Sequence, residues 1–209
     1  MKDVPIMFSD PMVRAIIAGK KRVTRRVAKP RKFPSLLEPG AWCDDYILDP
    51  GNREWLMRDA PCATGDRLWV RETWALEQLG PPGYDRLVFR ADREACDTWN
   101  LSPTYFLESN YEPEKWRPSI FMPRWASRLT LPVVSVRLER LHEITEEDAI
   151  AEGVGTDCPV GSIPRYLEGP HVYCFASLWD SLNTKRGFGW RVNPLVWRIE
   201  FEPPMKGAA

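Results

Sequence analysis

Histidine is almost missing from these 209 residues; the two are His142 and His171. Neither has a serine or cysteine at a spacing that points to a nucleophile and base, so no Ser-His or Cys-His triad is assigned. Cysteine is sparse as well. Cys43, Cys62, Cys96, Cys158 and Cys174 are widely scattered, no two form a C-x-x-C pair, and an odd number of five closes no disulfide framework. Reduced, structural thiols are expected. A zinc site built from Cys43, Cys62 and His171 finds no support in the spacing, and neither metal nor cofactor is assigned. No apolar run approaches the length of a membrane-spanning helix. The opening residues, MKDVPIMFSD, lack the apolar stretch and small-residue cleavage site of a secretory leader. The expectation is a cytoplasmic protein, away from any membrane.

Net charge is also lacking, with 29 Lys/Arg against 29 Asp/Glu, but the balance is not local. Residues 1 to 33 carry ten Lys/Arg and two Asp, a net of +8, and the remainder carries the compensating −8. The centre of that basic end is Gly19-Lys20-Lys21-Arg22-Val23-Thr24-Arg25-Arg26, with five cations and one hydroxyl in eight residues. Such asymmetry points to an anionic partner, and nucleic acid in single-stranded or nucleoside form is the expected one. A solvated basic tail is the plainer alternative. Against it, the cations interleave with Val23 and Thr24 and follow a helix.

That helix is read from Ser9 or Asp10 at its start, Pro11 in its first turn, the stripe Met12, Val13, Ile16 and Ile17, and Gly19 at its end. Pro5 to Phe8 before it is extended. The basic segment then enters a strand with Val23 turned inward. Residues 30–62 are broken by five prolines and read as an insertion. Arg67 to Trp74 alternates as one strand, Arg86 to Arg90 as another, and Arg128 to Leu141 as a long strand whose Pro132 predicts an edge or a bulge. Residues 91–115 and 154–171 read as further insertions. A short helix starts at Thr145, with Asp148 in the place of a capping-box acid and Gly153 closing it. Cys174 to Leu182 reads as a helix, and Leu195 to Phe201 as a last strand. The order predicts an α+β fold in a single domain over 1–209: a small, mostly antiparallel barrel decorated with short helices and long loops.

Several of these phrases together resemble a known family. They are Ala18-Gly19-Lys20-Lys21-x-x-Thr24-x-Arg26 after a helix, Gly65-Asp66 opening a strand, Ile144-Thr145-Glu146-Glu147-Asp148-Ala149 with Glu152, and a closing Trp197-x-Ile199-Glu200-Phe201. This combination resembles the ASCH domain family, which has a PUA-like β-barrel and is associated with RNA. The phrases PMVRAIIAGKKRVTRR, GDRLWVRETW and WRPSIFMPRWASRLTL resemble a longer subgroup common in phages and prophages. The resemblance spans roughly the whole chain. Small members hydrolyse the amide of N4-acetylcytidine with a lysine, a threonine and a glutamate. The G-x-K-x-x-T pattern puts Lys21 and Thr24 in the first two roles, with Lys20 one position away. The end of the T-E-x-x-A helix puts Glu152 in the third.

The chemistry asked of these residues is specific. A threonine hydroxyl needs a base, and a lysine serves as one only when burial and neighbouring cations lower its proton affinity. Lys20, Arg22, Arg25 and Arg26 are such neighbours. Glu152 is then free to protonate a leaving amine or orient water. The same residues have plainer roles: Lys21 on phosphate, Thr24 lining a strand, Glu152 pairing an arginine. Glu72 is either a carboxylate reading the exocyclic amine of cytosine or the partner of Arg26 or Arg71. Trp69, Trp74, Trp116 and Trp125 alternate with Arg67, Arg71, Arg117 and Arg124, as in a base-stacking surface or an aromatic core. The expected function is an amidohydrolase acting on a modified cytidine. The alternatives are a non-catalytic RNA or modified-DNA binding module, a ribonuclease, and a phage accessory protein acting by protein contacts.

Overall fold

The computed structural model describes residues 1–28, 57–78, 85–93, 115–156 and 169–204. The expected insertions at 30–62, 91–115 and 154–171 lie mostly outside them. Seven strands are described: β1 (Asp3–Met7), β2 (Val23–Val27), β3 (Arg67–Arg71), β4 (Trp74–Gln78), β5 (Asp85–Phe89), β6 (Thr130–Arg140) and β7 (Leu195–Phe201). The helices are α1 (Asp10–Ile17), the single turn α2 (Arg90–Arg93), α3 (Glu146–Ala151) and α4 (Pro170–Asn183). The fold is therefore mixed, with short helices around a mostly antiparallel sheet.

Five strands form that sheet in the order β1-β3-β6-β7-β2, and β4 and β5 form a separate hairpin. Among the described strands only β1 and β3 run parallel. The long strand β6 belongs to two ladders in turn. Thr130 to Pro132 pair with β3, and Val133 to Arg140 pair with β7. The register shifts between Val133 and Ser135, so the sequence-predicted bulge is present, but inside a central strand rather than at an edge. Pro132 is tolerated because it stands where the strand passes from one neighbour to the other; its carbonyl still accepts from the Glu202 amide at 3.0 Å. Among the described residues no ladder joins β1 to β2.

Helix α1 packs against the sheet. Val13 and Ile16 of α1 pack with Ile6, Leu68, Val70, Leu131, Leu138, Trp197, Ile199 and Phe201 in the main core. Ile17, expected on the same stripe, is largely exposed. The opposite face of β7 and β2 is covered by α3 and α4, where Val196 meets Ala149, Val172, Phe175, Trp179 and Trp190. Strand β7 is thus buried on both faces, all but Glu200.

Three readings of the sequence need correcting. Arg67 to Trp74 is two strands; the break falls at Glu72, whose amide donates to Met122 Sδ at 3.3 Å and whose carboxylate is drawn inward. Asp148 does not close a capping box. Thr145 Oγ1 caps the Asp148 amide at 3.2 Å, while the Asp148 carboxylate turns away toward arginines. Cys174 is disulfide-bonded, so reduced thiols throughout do not hold; Cys62 is free and buried.

Candidate functional site

Lys21 leaves α1 through Gly19, whose positive φ of 71° turns the chain back toward the sheet. Its amide and that of Lys20 both bond the Ala15 carbonyl, which fixes the segment under the helix. The neighbouring lysines then part: Lys20 is exposed, and Lys21 is 2 % exposed. Lys21 Nζ donates to Glu152 Oε2 at 2.6 Å, to the Glu152 carbonyl at 2.8 Å and to the Val23 carbonyl at 2.8 Å. Residues 131 positions apart are thereby joined in the interior. Burial pushes the Lys21 amine below its ordinary value; the charge of Glu152 opposes that shift, and Arg26 and Arg25 reinforce it.

Glu152 reaches Lys21 because α3 ends there. Gly153 takes φ 77° and lies against Ala15 and Lys21 with no space for a side chain. The Arg22 amide also donates to the Ala151 carbonyl at 2.7 Å, stitching the helix end to the basic segment.

Alternation along β2 decides the rest. Thr24 pairs with Ile199 and Arg26 with Trp197, so both lie on the main-core face. Thr24 is buried. Among the described residues its hydroxyl makes no hydrogen bond to Lys21 or Glu152. The Arg26 guanidinium sits 5.1 Å from the Phe8 ring centre, and Lys21 Nζ sits 5.6 Å from the same ring. Arg26 also donates to the Met7 carbonyl at 2.8 Å. The Phe8 ring is thus the shared floor beneath two cations, a role to which no local pattern points.

Arg25 points to the other face and is buried. It donates to Glu139 at 2.9 Å through Nε, to Glu152 at 3.5 Å, and to Asp148. Arg198 donates to Asp148 at 2.8 Å and to Glu200 at 3.0 Å. Arg25 is therefore an internal strut, with its guanidinium occupied by three carboxylates. Burial pushes Asp148 up, but hydrogen bonds from Arg198 and Arg25 bring it below its ordinary range; Glu139 is raised by burial against the pull of Arg25. Asp148, Glu139 and Arg198 escaped the sequence reading. The signal was there for two of them: Glu139 and Arg198 are charges set among apolar residues in strands that are otherwise core.

The remaining predicted residues divide. Glu72 is fully buried and pairs with neither Arg26 nor Arg71. Arg128 grips it from two nitrogens at 3.0 and 2.9 Å and holds Asp92 at 2.7 Å. Burial still pushes the Glu72 carboxyl up. Trp69 and Trp74 are buried, and arginines lie over them: Arg71 at 4.6 Å and Arg124 at 5.7 Å from Trp69, Arg117 at 4.9 Å from Trp74. Trp125 is 71 % exposed and meets Trp74 edge-on at 6.0 Å. His171 is engaged by Glu146 at 2.6 Å, and His142 by the Trp190 carbonyl at 2.8 Å.

Among the described residues no group of three or more His, Cys, Asp or Glu side chains is arranged to hold a metal ion, and no helix is long and apolar enough to cross a membrane. No protein-family model, curated protein or solved structure matches this chain.

Proposed function

We propose that Lys21, Glu152 and Thr24 form an acyl-amide-cleaving site of the ASCH type, acting on an N4-acylated cytidine and carried on a PUA-like barrel. The observation that carries the reading is the buried Lys21–Glu152 contact at 2.6 Å, with Thr24 three residues along the same chain segment. The mostly antiparallel sheet, in which β6 serves two ladders, supports the barrel assignment.

The chemistry follows from the pair. Moving one proton along the short bond to Glu152 leaves a neutral Lys21 amine, which burial already favours. That amine takes the Thr24 proton as the hydroxyl oxygen bonds to the acyl carbon. The C–N bond then breaks, and Glu152 returns its proton to the departing exocyclic amine. Lys21 then passes its new proton to the emptied Glu152 carboxylate, and the neutral amine deprotonates a water that attacks the threonine ester. The bond to Thr24 Oγ1 breaks, the acyl group leaves as a carboxylic acid, the proton on Lys21 goes to the Thr24 oxygen, and Glu152 returns its proton to Lys21. Arg26, over the Phe8 ring on the face shared with Thr24, supplies the charge that meets the oxyanion in this scheme.

The test is to mix the protein with N4-acetylcytidine and follow its ultraviolet spectrum. Turnover that disappears in Lys21→Met and in Thr24→Val supports the hydrolase. Absence of turnover by the native chain, both with the nucleoside free and with it inside an unpaired strand, rejects it. A second reading, a non-catalytic nucleic-acid binder, is favoured by one fact: all three N–H donors of Lys21 already have acceptors. Under that reading the pair is a strut.

A further inference from the structure

Large apolar side chains seldom stand exposed so close together in sequence, yet the segment Trp116 to Ala126 holds out three. Ile120 is 56 % exposed, Phe121 72 % and Trp125 71 %. They come from two successive 3-10 turns, Ser119–Phe121 and Arg124–Ala126, which share the buried anchors Met122 and Ala126. The segment is pinned at its start, where the Arg117 amide and carbonyl bond those of Trp74 at 2.8 and 3.2 Å. The exposed rings are therefore mounted on a fixed support.

Three arginines are held beside this segment. Arg117 lies over Trp74, and Arg71 and Arg124 lie over Trp69, so three guanidiniums are held against indoles. Arg71 also donates to the Ile120 carbonyl at 3.3 Å. The acid among the contacts of these arginines, Asp3, is shared by Arg67 at 2.8 Å and Arg124 at 3.3 Å. Exposed rings with orientated arginines on the indoles behind them offer what an unpaired polynucleotide needs: π-surfaces for bases and donors for phosphates.

We infer that Phe121 and Trp125, with Arg71, Arg117 and Arg124, form a platform that binds single-stranded nucleic acid, so that the substrate is a base within a strand rather than a free nucleoside. The binding stands on the geometry of the platform. That the strand is bound for cleavage rests on the proposed function. The two places are connected: Arg71 pairs with Met7 across β3 and β1, and the Met7 carbonyl accepts from Arg26 at the Lys21 site. A strand laid on the platform continues past Arg71 and Met7 toward that site.

Fluorescence anisotropy with labelled oligothymidylate, alone and annealed to its complement, tests this on the whole chain. The unpaired strand binds, and the duplex binds more weakly. Phe121→Leu and Trp125→Leu, which keep apolar surface but remove a ring, each weaken binding by roughly five-fold or more, as for one lost base stack. Arg117→Gln lowers the salt dependence by about one phosphate contact. The inference falls if the unpaired strand does not bind at low salt, if the leucine variants bind like the native chain, or if sedimentation shows self-association that buries Trp125. Native binding without turnover of an N4-acetylcytidine placed inside the bound strand would retain the platform and reject the hydrolase.

Discussion

Gly153 and Lys21 are packed so closely that a Cβ at position 153 would stand 2.9 Å from the Lys21 Cβ. A methylene of the candidate base thus rests on the backbone that carries the candidate acid. The same Cβ would meet Ala15 at 2.9 Å, so the contact ties α1, the basic segment and the end of α3 together at one point.

Replacing Gly153 with alanine adds a side chain where φ is 77° and no space exists. The backbone penalty alone is about 1–2 kcal/mol, and relief of the overlap must move Lys21 or Ala15. Urea unfolding should show a lower midpoint at an unchanged slope, and any turnover should fall with it. A variant as stable as the native chain would show that the helix end is not held as described.

Breaking the Lys21–Glu152 pair from one side leaves a charge in the interior. Lys21→Met is expected to cost about 3–5 kcal/mol. The double variant Lys21→Met, Glu152→Leu should recover part of that loss, since neither charge remains, although Arg25 then loses one of its carboxylates. A double-mutant cycle on unfolding free energies measures the coupling. Strict additivity would contradict a direct buried contact.

The Lys21 amine is depressed by burial, so it should titrate below the ordinary lysine value of 10.5. Between its folded value and 10.5 the unfolded chain binds the proton more tightly, and stability rises with pH across that window. Turnover by the neutral amine should rise through the same titration. Glu152 is the group that raises it, so Glu152→Gln should move the titration lower. Carbon-detected NMR of the lysine side chain reads both values; an unmoved titration in the variant would break the link.

Arg128→Met strands the Glu72 carboxylate, at an expected cost of about 3–5 kcal/mol at neutral pH. The folded Glu72 already lies above the ordinary 4.5 because of burial, and losing Arg128 raises it further. Stability from such a group is fully present below 4.5 and is lost as pH rises through the folded value. The deficit of the variant against the native chain should therefore shrink on acidification. Parallel denaturation curves from neutral to acid pH decide the matter; a constant gap would mean that Glu72 is not the stranded group.

The elements themselves were legible because their signals are local. Pro11 and Gly19 bracket α1, Thr145 and Gly153 bracket α3, and alternation marks β7. The meeting of Lys21 with Glu152 was reachable only through the resemblance, since nothing local joins residues 131 apart. The basic end misled in part for the same reason. The local excess of cations points to an anionic partner, whereas Arg25 is neutralised internally by Glu139, Asp148 and Glu152, acids that lie more than a hundred residues on. Charge counted along a chain carries no information about which side of a strand each cation occupies; alternation through Val23, Thr24 and Arg25 decided it. Glu72 was legible as paired but not to whom, because Arg128 comes from a different strand approach.

One strand, β6, hydrogen-bonds to β3 at its start and to β7 for the rest of its length. The two halves of the sheet consequently have no seam along which to separate. Opening either exposes the main core that both enclose, so amide protons in β3 and β7 should exchange with solvent in a single cooperative event, not as two independently melting units.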